Sequence, residues 1–315
     1  MIKILKLGIT LFIFVFLIWK FDLNFVAVYS QIKYSKYIFI GLLTPLLIHY
    51  ISANRWKIFL KQIGIKESIW SLTKINYTSI FQGLILPSSQ GYDIIRIYQI
   101  EKKHPENRGS ASSTIIIERI IGFIVLCALS LIFSIFNRDL SNQKQVILII
   151  GSISFTLFIL ITLLLNKRLH AIIANKSFNN NYLQKFFSYF DKMYRAIAYF
   201  PYRKILFSSV ILILLFQLST IICVYLIFKA YGFDIPLYQH ISLYPIISIL
   251  SMIPITISGF GIREGFFVYF YSQIGVPADV SIGVSIINYM IIVLLPAMIG
   301  GILYLLSILK KEKTI

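Results

Sequence analysis

The sequence predicts an all-α protein that crosses a membrane several times, and two observations carry this prediction. Apolar residues make up 58% of the 315 positions and charged residues only 13%, with a mean hydropathy of +0.81. Soluble domains, in contrast, carry about 25% charged residues. Several apolar runs also reach or approach the roughly 20 residues that cross a bilayer as a helix. We therefore expect one integral-membrane domain, residues 1–315, built as a transmembrane helical bundle.

Six apolar runs have the length and composition expected of complete membrane spans. These runs are Ile4–Trp19, Tyr37–Ile51, Ser113–Phe136, Val146–Leu165, Leu206–Phe228 and Ser281–Leu309. The first run follows Lys3 and Lys6, as the apolar part of a signal peptide would, but no small-residue cleavage site comes after it. We therefore expect it to be retained as the first span.

Two weaker apolar segments, Trp70–Gly91 and His240–Gly275, contain residues that interrupt a membrane helix. The interruptions are Asn76, Thr78, Ser79 and Gln82 in the first segment and Pro254, Gly259, Gly261, Arg263 and Glu264 in the second. We expect each segment to enter and leave the bilayer on one side, which gives six full spans plus two re-entrant hairpins. If both segments span instead, the chain crosses eight times and the basic stretch Arg96–Arg108 moves to the other face.

Basic residues set the expected orientation, because Lys and Arg are enriched in cytoplasmic loops. They concentrate in Arg55–Arg108, in Asn166–Lys204 and at the C-terminus, Lys310–Lys313. If all three regions are cytoplasmic, both termini lie inside, the first hairpin enters from the cytoplasm and the second enters from outside. The same rule accounts for the net charge of +18 without nucleic acid as a partner. We expect a multi-pass protein of the cell membrane.

The basic cytoplasmic loop, residues 166–204, is predicted to contain an amphipathic helix. Its apolar residues recur at helical spacing, at Leu183, Phe186, Phe187, Phe190, Met193, Tyr194 and Ile197. Such a helix can lie in the headgroup region of a bilayer. Packing against the underside of the bundle is the equally supported alternative.

The two interrupted segments resemble each other, which suggests an inverted repeat. "PSSQGYDIIR" and "PITISGFGIR" both place an arginine nine positions after a proline, with glycine between them. Corresponding Gly/Pro-interrupted segments in two halves of a membrane protein indicate a transport site at the repeat interface. The residues expected to shape the hairpins are Pro87, Gly91, Pro254, Gly259, Gly261 and Gly265.

Charged residues inside apolar segments are the candidate site. Glu118 and Arg119 lie in the apolar run "STIIIERIIGFIVL", where each charge costs about 2.5–3.5 kcal/mol near the bilayer centre. Neighbours in a helix point to different sides, so each needs a partner from elsewhere. The candidate cavity acids are Asp93, Glu118 and Glu264, and the candidate phosphate-binding residues are Arg96, Arg119 and Arg263. They form either a structural ion-pair cluster or a site where arginine exchanges a carboxylate for a substrate phosphate.

Several other chemistries have little support in the sequence. Cys127 and Cys223 both lie in apolar runs and are expected to be packing residues. The four histidines have no metal-binding spacing, and no GxxxxGK[ST] motif is present. We therefore expect no cofactor or metal and no ATP-driven pumping by this chain.

Four of these stretches together resemble a known family. "IIIERIIGFIVL", "LPSSQGYDIIRIYQI", "SGFGIREGFFVYF" and "SANRWKIFL" look like signatures of the lysylphosphatidylglycerol synthase transmembrane, or flippase-like (UPF0104-type), family. The resemblance covers about residues 5–310. It implies a multi-pass plasma-membrane protein whose polar cavity handles phospholipids or other lipid-linked substrates.

The chain departs from the family pattern at two positions and in extent. Ser258 replaces the first glycine of a common pair, and Tyr92 intervenes between Gly91 and Asp93. The soluble aminoacyl-transferase domain of full-length synthases is not expected after Ile315, so lysyl transfer is not carried over.

The leading functional hypothesis is a flippase-like protein that translocates or binds an anionic phospholipid or a lipid-linked glycan precursor. One alternative is a membrane-embedded transferase acting on lipid carriers, although no DxD or HxxE motif is present. Another is a non-catalytic partner in envelope assembly that uses the basic loop. We lean towards a protein without enzymatic activity, with membrane lipids as partners and other envelope-biosynthesis proteins as a further class.

Overall fold

All regular structure in the described part of the chain is helical. The computed structural model describes residues 30–84, 91–136, 200–252, 256 and 259–312, together with scattered residues between 148 and 198. In chain order, the α-helices with described bounds are α1 Ser35–Gly41, α2 Thr44–Gln62, α3 Ile69–Gly83, α4 Gly91–Lys103, α5 Ser110–Phe136, α6 Tyr202–Ala230, α7 Leu237–Ser251, α8 Ile262–Ser272, α9 Ala278–Tyr289 and α10 Leu295–Glu312. A short 3-10 helix, Pro105–Asn107, precedes α5, and a π-helix, Met290–Leu294, joins α9 to α10.

Four helical stretches of the described residues are long and apolar enough to cross a membrane. They are Ser35–Gln62, Ser110–Ser134, Ile205–Ala230 and Ala278–Ser307. They coincide with four of the six predicted spans, so the prediction of an all-α polytopic protein is confirmed. The predicted span Ile4–Trp19 lies outside the described residues, and only scattered residues of Val146–Leu165 are described.

The second predicted span is longer than its hydropathy indicated. The apolar run ends at Ile51, but α2 continues to Gln62 and buries Arg55 and Trp56. Arg55 was expected in a cytoplasmic loop, and that placement was wrong. Hydropathy scores a charged residue as if it stood alone, whereas Arg55 has a buried carboxylate partner within the bundle.

Helices α3 and α4 form the first hairpin. They contain 15 and 13 residues, or about 22 and 20 Å, which is too short for the roughly 30 Å hydrocarbon core. We call the end of each pair beside the segment that joins its two helices the inner end, and the opposite end the outer end. At the outer end of this pair, Glu67 accepts a hydrogen bond from Lys103 at 2.7 Å. At the inner end, a Cβ on Gly83 would lie 2.6 Å from the Tyr92 backbone nitrogen. The two helices are therefore antiparallel, with both outer ends on the same side of the bundle.

Helices α7 and α8 form the second hairpin, with 15 and 11 residues. At its outer end His240 Nδ1 and the Tyr271 hydroxyl are 2.9 Å apart. At its inner end a Cβ on Gly259 would lie 3.0 Å from the Ser251 carbonyl oxygen. The helices of this pair are therefore also antiparallel, with both outer ends on the same side of the bundle.

Helix α5 shows that the two hairpins open towards opposite ends of the bundle. Just before α5 begins, the Gly109 N–H donates to Glu101, near the outer end of the first hairpin. Near the end of α5, Ser130 Oγ donates to the Ser242 carbonyl, near the outer end of the second hairpin, at 2.7 Å. Gly109 and Ser130 are separated by about 32 Å along this helix. This is the geometry that an inverted repeat requires.

The predicted amphipathic helix in residues 166–204 lies mostly outside the described residues. In its described part, residues 194–198 are helical, and Ile197 and Phe200 pack in one apolar cluster with Phe59 and Ile117. This end of the loop therefore packs against the bundle, as in the second of the two alternatives.

Candidate functional site

The inner ends of the two hairpins meet at a cavity of about 200 Å³. Gly83, Leu84 and Tyr92 line it from the first hairpin, and Ser251 and Arg263 line it from the second. The two segments that the sequence paired as a repeat therefore share one cavity.

A second cavity, of about 250 Å³, adjoins the first. Tyr92, Tyr244 and Met252 line both cavities, so the two are contiguous. Most of its polar lining residues come from α2, α3, α5 and α6, and these are His49, Ser52, Arg55, Asn76, Glu118, Arg119, Gln217 and Thr220.

Beside these cavities, the helical span formed by α9 and α10 contains a π-helical turn. The π-helix Met290–Leu294 contributes Val293 to both cavities and Ile292 to the larger one. Single π-helical turns are rare and occur frequently at functional sites. This turn widens the α9–α10 span at the depth where the hairpins meet.

Glu118 on α5 is the centre of a buried ion-pair network. Its Oε1 accepts a hydrogen bond from Arg55 Nε on α2, and its Oε2 accepts one from Arg96 Nη2 on α4 at 3.2 Å. The Arg96 guanidinium also lies over the Trp56 ring, 4.3 Å from its centroid, a cation–π contact that partly replaces lost hydration. The network therefore fixes the first hairpin to α2 and α5.

Asp93 extends this network to the cavity wall. Its two oxygens accept from Arg96 at 3.2 Å and from Arg119 at 2.6 Å. Arg119 also donates to the Tyr92 hydroxyl. The network as described thus contains three guanidinium groups, those of Arg55, Arg96 and Arg119, and two carboxylates. It carries one positive charge in excess.

Arg263 and Glu264 form a separate pair at the inner end of the second hairpin. Glu264 Oε2 accepts the Gly261 N–H at 2.6 Å, which caps α8. Its Oε1 accepts from Arg263 and from the Ser285 hydroxyl. The Arg263 guanidinium lies 4.4 Å from the centroid of the Tyr289 ring. Arg263 is therefore held on two sides and faces the smaller cavity.

The expected single network of six charged residues occurs as two groups. Asp93, Arg96, Glu118 and Arg119 come together with Arg55, which the sequence reading did not include, while Arg263 and Glu264 pair with each other. Arg96 is buried and lines neither cavity. Its position suits an anchor of the hairpin better than the phosphate contact predicted for it.

The structure supports a backbone role for only some of the residues that were predicted to shape the hairpins. Pro87 and Pro254 lie outside the described residues, and Gly91 begins α4. Gly259 and Gly261 have φ values of 74° and 85°, which L-residues rarely adopt. Gly265, in contrast, lies inside α8, where a Cβ added to it would meet nothing within 4 Å. Its backbone gives no reason for glycine.

Three features of the site were not found by sequence reasoning. Arg55 lies in "SANRWKIFL", a stretch that the family resemblance had marked, and this was the available signal. Tyr92 was noted only as an insertion between Gly91 and Asp93. His49 gave no signal, because a single histidine in an apolar run is usually a packing residue. Groups of three or more His, Cys, Asp or Glu side chains that could hold a metal are absent from the described residues.

Similarity to known proteins covers most of the chain. Residues 3–301 match the sequence model of the family described as the lysylphosphatidylglycerol synthase TM region. The chain is 22% identical over 292 residues to a UPF0104 membrane protein of Methanocaldococcus jannaschii, which covers 88% of this chain and 86% of the relative. It is 23% identical over 278 residues to a UPF0104 membrane protein of Methanothermobacter thermautotrophicus, which covers 81% of this chain and 80% of the relative. No solved structure matches the chain at a significant level.

Proposed function

This chain belongs to the lysylphosphatidylglycerol synthase TM-region family, and from that premise we propose that it is a flippase-like protein of the cell membrane. It binds the phosphate-bearing headgroup of an anionic lipid in the paired cavities and moves that headgroup between leaflets.

The observation that carries this proposal is the placement of two arginines on the cavity walls. Arg119 lines the larger cavity and Arg263 the smaller one. Their side chains are 27% and 12% exposed, so each side chain keeps some accessible surface although a carboxylate binds its guanidinium. A guanidinium binds phosphate through two parallel hydrogen bonds. The excess positive charge of the Glu118 network favours an anionic ligand at the same place.

The hairpins supply the polar route. Because they enter from opposite ends and meet at the cavities, a headgroup crosses between two short half-helices rather than through an unbroken apolar wall. Irregular backbone at membrane depth is tolerated where it lines a cavity or is buried in protein. The acyl chains stay in the surrounding lipid while the phosphate passes from one arginine to the other. Movement is downhill or follows an ion gradient.

The test is leaflet exchange of fluorescent phosphatidylglycerol in vesicles reconstituted with the purified protein. Arg119→Ala and Arg263→Ala should each lower the exchange rate at least tenfold, and Arg→Lys at either position should retain an intermediate rate. Arg108→Ala, at an exposed loop position, is the matched control and should exchange at the parental rate. Equal rates for the parent, the two alanine variants and protein-free vesicles would refute the proposal.

A further inference from the structure

We propose that the cavities take a phosphate headgroup bearing hydroxyl groups, such as glycerol or a cyclic polyol, and reject a headgroup bearing the ammonium groups of an esterified lysine. This inference rests on the proposed function and names the substrate class of the same site. It separates this chain from the lysylated lipid in the name of its family.

The first reason is that every carboxylate oxygen at the site already accepts at least one hydrogen bond within the protein. Both oxygens of Asp93 and both oxygens of Glu118 accept hydrogen bonds from arginine. One oxygen of Glu264 accepts from Arg263 and Ser285, and the other accepts the Gly261 N–H. An ammonium group of a lysyl headgroup would have to share one of these carboxylates with its present donor, and it would add to the excess positive charge that the Glu118 network already carries.

The sequence between the two helices of each hairpin contains no further acid. Residues 85–90 read "ILPSSQ" and residues 253–258 read "IPITIS", and neither stretch contains Asp or Glu. Among the described residues, the charge balance near the cavities is therefore positive. Two additional ammonium charges would meet the guanidinium groups of Arg119 and Arg263 without a counter-charge.

The second reason is a neutral polar wall on the larger cavity. His49 and Asn76 both line it, and both are more than nine-tenths buried. Within the described part of the chain, His49 Nε2 and Asn76 Oδ1 have no hydrogen-bond partner. A buried polar atom without a partner is unfavourable, so a ligand that hydrogen-bonds to it is favoured. Hydroxyl groups suit both atoms, because each hydroxyl can donate to one atom and accept from another.

The proposed phosphate-binding residue Arg119 lines the same cavity as this neutral polar wall. Arg119 and the Ser52 hydroxyl line the cavity with His49 and Asn76. Its volume of about 250 Å³ is slightly below the roughly 300–1,000 Å³ of pockets that enclose drug-sized ligands. The space suits a headgroup and excludes the acyl chains.

The experiment compares four labelled lipids in the same vesicles: phosphatidylglycerol, phosphatidylinositol, phosphatidic acid and lysylphosphatidylglycerol. Phosphatidylglycerol and phosphatidylinositol should exchange at least tenfold faster than lysylphosphatidylglycerol. Asn76→Leu and His49→Phe should each lower the ratio of phosphatidylinositol to phosphatidic acid exchange several-fold. Asn54→Leu, on the exposed side of α2 where Asn54 donates to the Tyr50 carbonyl, should leave that ratio unchanged.

The outcomes separate this inference from the proposed function. Exchange of lysylphosphatidylglycerol at the rate of phosphatidylglycerol overturns the headgroup assignment and leaves lipid translocation intact. If no lipid exchanges faster than in vesicles with Arg263→Ala, translocation is refuted. In that case, native mass spectrometry of the detergent-solubilised protein measures which of the four lipids it binds. Equal binding of all four would overturn the headgroup assignment. Entry of labelled glycerol phosphate into the vesicles would assign the chemistry to a soluble solute and overturn it too.

Discussion

Glu118 and Arg119 are neighbours in the chain, yet their side chains bind different partners on different sides of α5. Glu118 accepts hydrogen bonds from Arg55 and Arg96, whereas Arg119 donates hydrogen bonds to Asp93 and to the Tyr92 hydroxyl. This follows from helix geometry, since consecutive residues project about 100° apart. One helix therefore uses two adjacent charges to hold a hairpin and to present a guanidinium to the cavity.

The first prediction concerns the buried centre of the network. Glu118→Gln leaves Arg55 and Arg96 without their shared counter-charge, and we expect it to lower the free energy of unfolding by about 3–5 kcal/mol. Thermal unfolding in detergent, followed by circular dichroism, measures the loss. Asp234→Asn is the matched control, because Asp234 is exposed and pairs only with Lys229 among its described ion-pair partners. Its effect should stay below about 1 kcal/mol.

A double variant separates charge from packing in this result. If uncompensated charge causes the loss, Glu118→Gln combined with Arg55→Met should be more stable than Glu118→Gln alone. A double variant that loses the sum of both single effects would show that packing, not charge balance, dominates around Glu118.

The second prediction concerns the inner end of the second hairpin. Gly261 has a φ of 85° and caps α8, so Gly261→Ala forces an L-residue into a strained backbone conformation at a cost of about 1–3 kcal/mol. Gly265→Ala is the matched control in the same helix, where a Cβ meets nothing within 4 Å. Because alanine favours helix over glycine, it should be neutral or stabilising by up to about 1 kcal/mol. Equal melting temperatures for the two variants would contradict the assigned backbone role.

The sequence was sufficient to predict the helical class, four of the described spans and the two interrupted segments, because these depend on composition and on local breaks. It also identified Glu118 and Arg119 as charges that need distant partners, with Asp93 among the candidates. It could not assign those partners, because pairing depends on which helices touch. Arg55 shows the difficulty most clearly, since its burial has a physical reason only once α2, α4 and α5 are packed together.

The third prediction concerns pH and the outer end of the first hairpin. Burial raises the pKa of Glu67, but hydrogen bonds from Lys103, His104 and Ser71 outweigh burial and hold the pKa below its ordinary value of 4.5. A carboxyl whose pKa is lowered on folding stabilises the fold above its unfolded pKa and loses that contribution as pH falls through the folded value. The contribution of Glu67 should therefore be complete at neutral pH and decline below pH 4.5.

Glu67→Gln tests this dependence. The variant should be less stable than the parent at pH 7 by about 1 kcal/mol, because one partner, Lys103, is half-exposed and the interaction is screened. The difference in melting temperature between the parent and the variant should shrink as the pH is lowered from 7 towards 3. Asp234→Asn, at a carboxylate that is 83% exposed and far from this cluster in sequence, is the control. A difference that grows towards low pH would contradict the direction of the pKa shift.

The fourth prediction concerns topology, and cysteine labelling in intact cells decides it. Trp70 and Lys102 are exposed near the outer end of the first hairpin, and Tyr238 is exposed near the outer end of the second. The native Cys127 and Cys223 are both buried, so the parent chain should give little background with a membrane-impermeant maleimide. We expect cysteines introduced at Tyr238 to react from outside, and those at Trp70 and Lys102 to react only after the membrane is opened.

The pattern of three sites distinguishes the two topologies that the sequence left open. If both interrupted segments span the bilayer, Trp70 and Lys102 lie on opposite faces, and Tyr238 lies on the same face as Trp70. If both are re-entrant, Trp70 and Lys102 share one face, as the 2.7 Å contact between Lys103 and Glu67 requires, and Tyr238 lies on the other. Because the contacts of α5 with the two hairpins, at Gly109 and Ser130, are about 32 Å apart along the helix, labelling of all three sites from a single side would contradict the arrangement of the helices themselves.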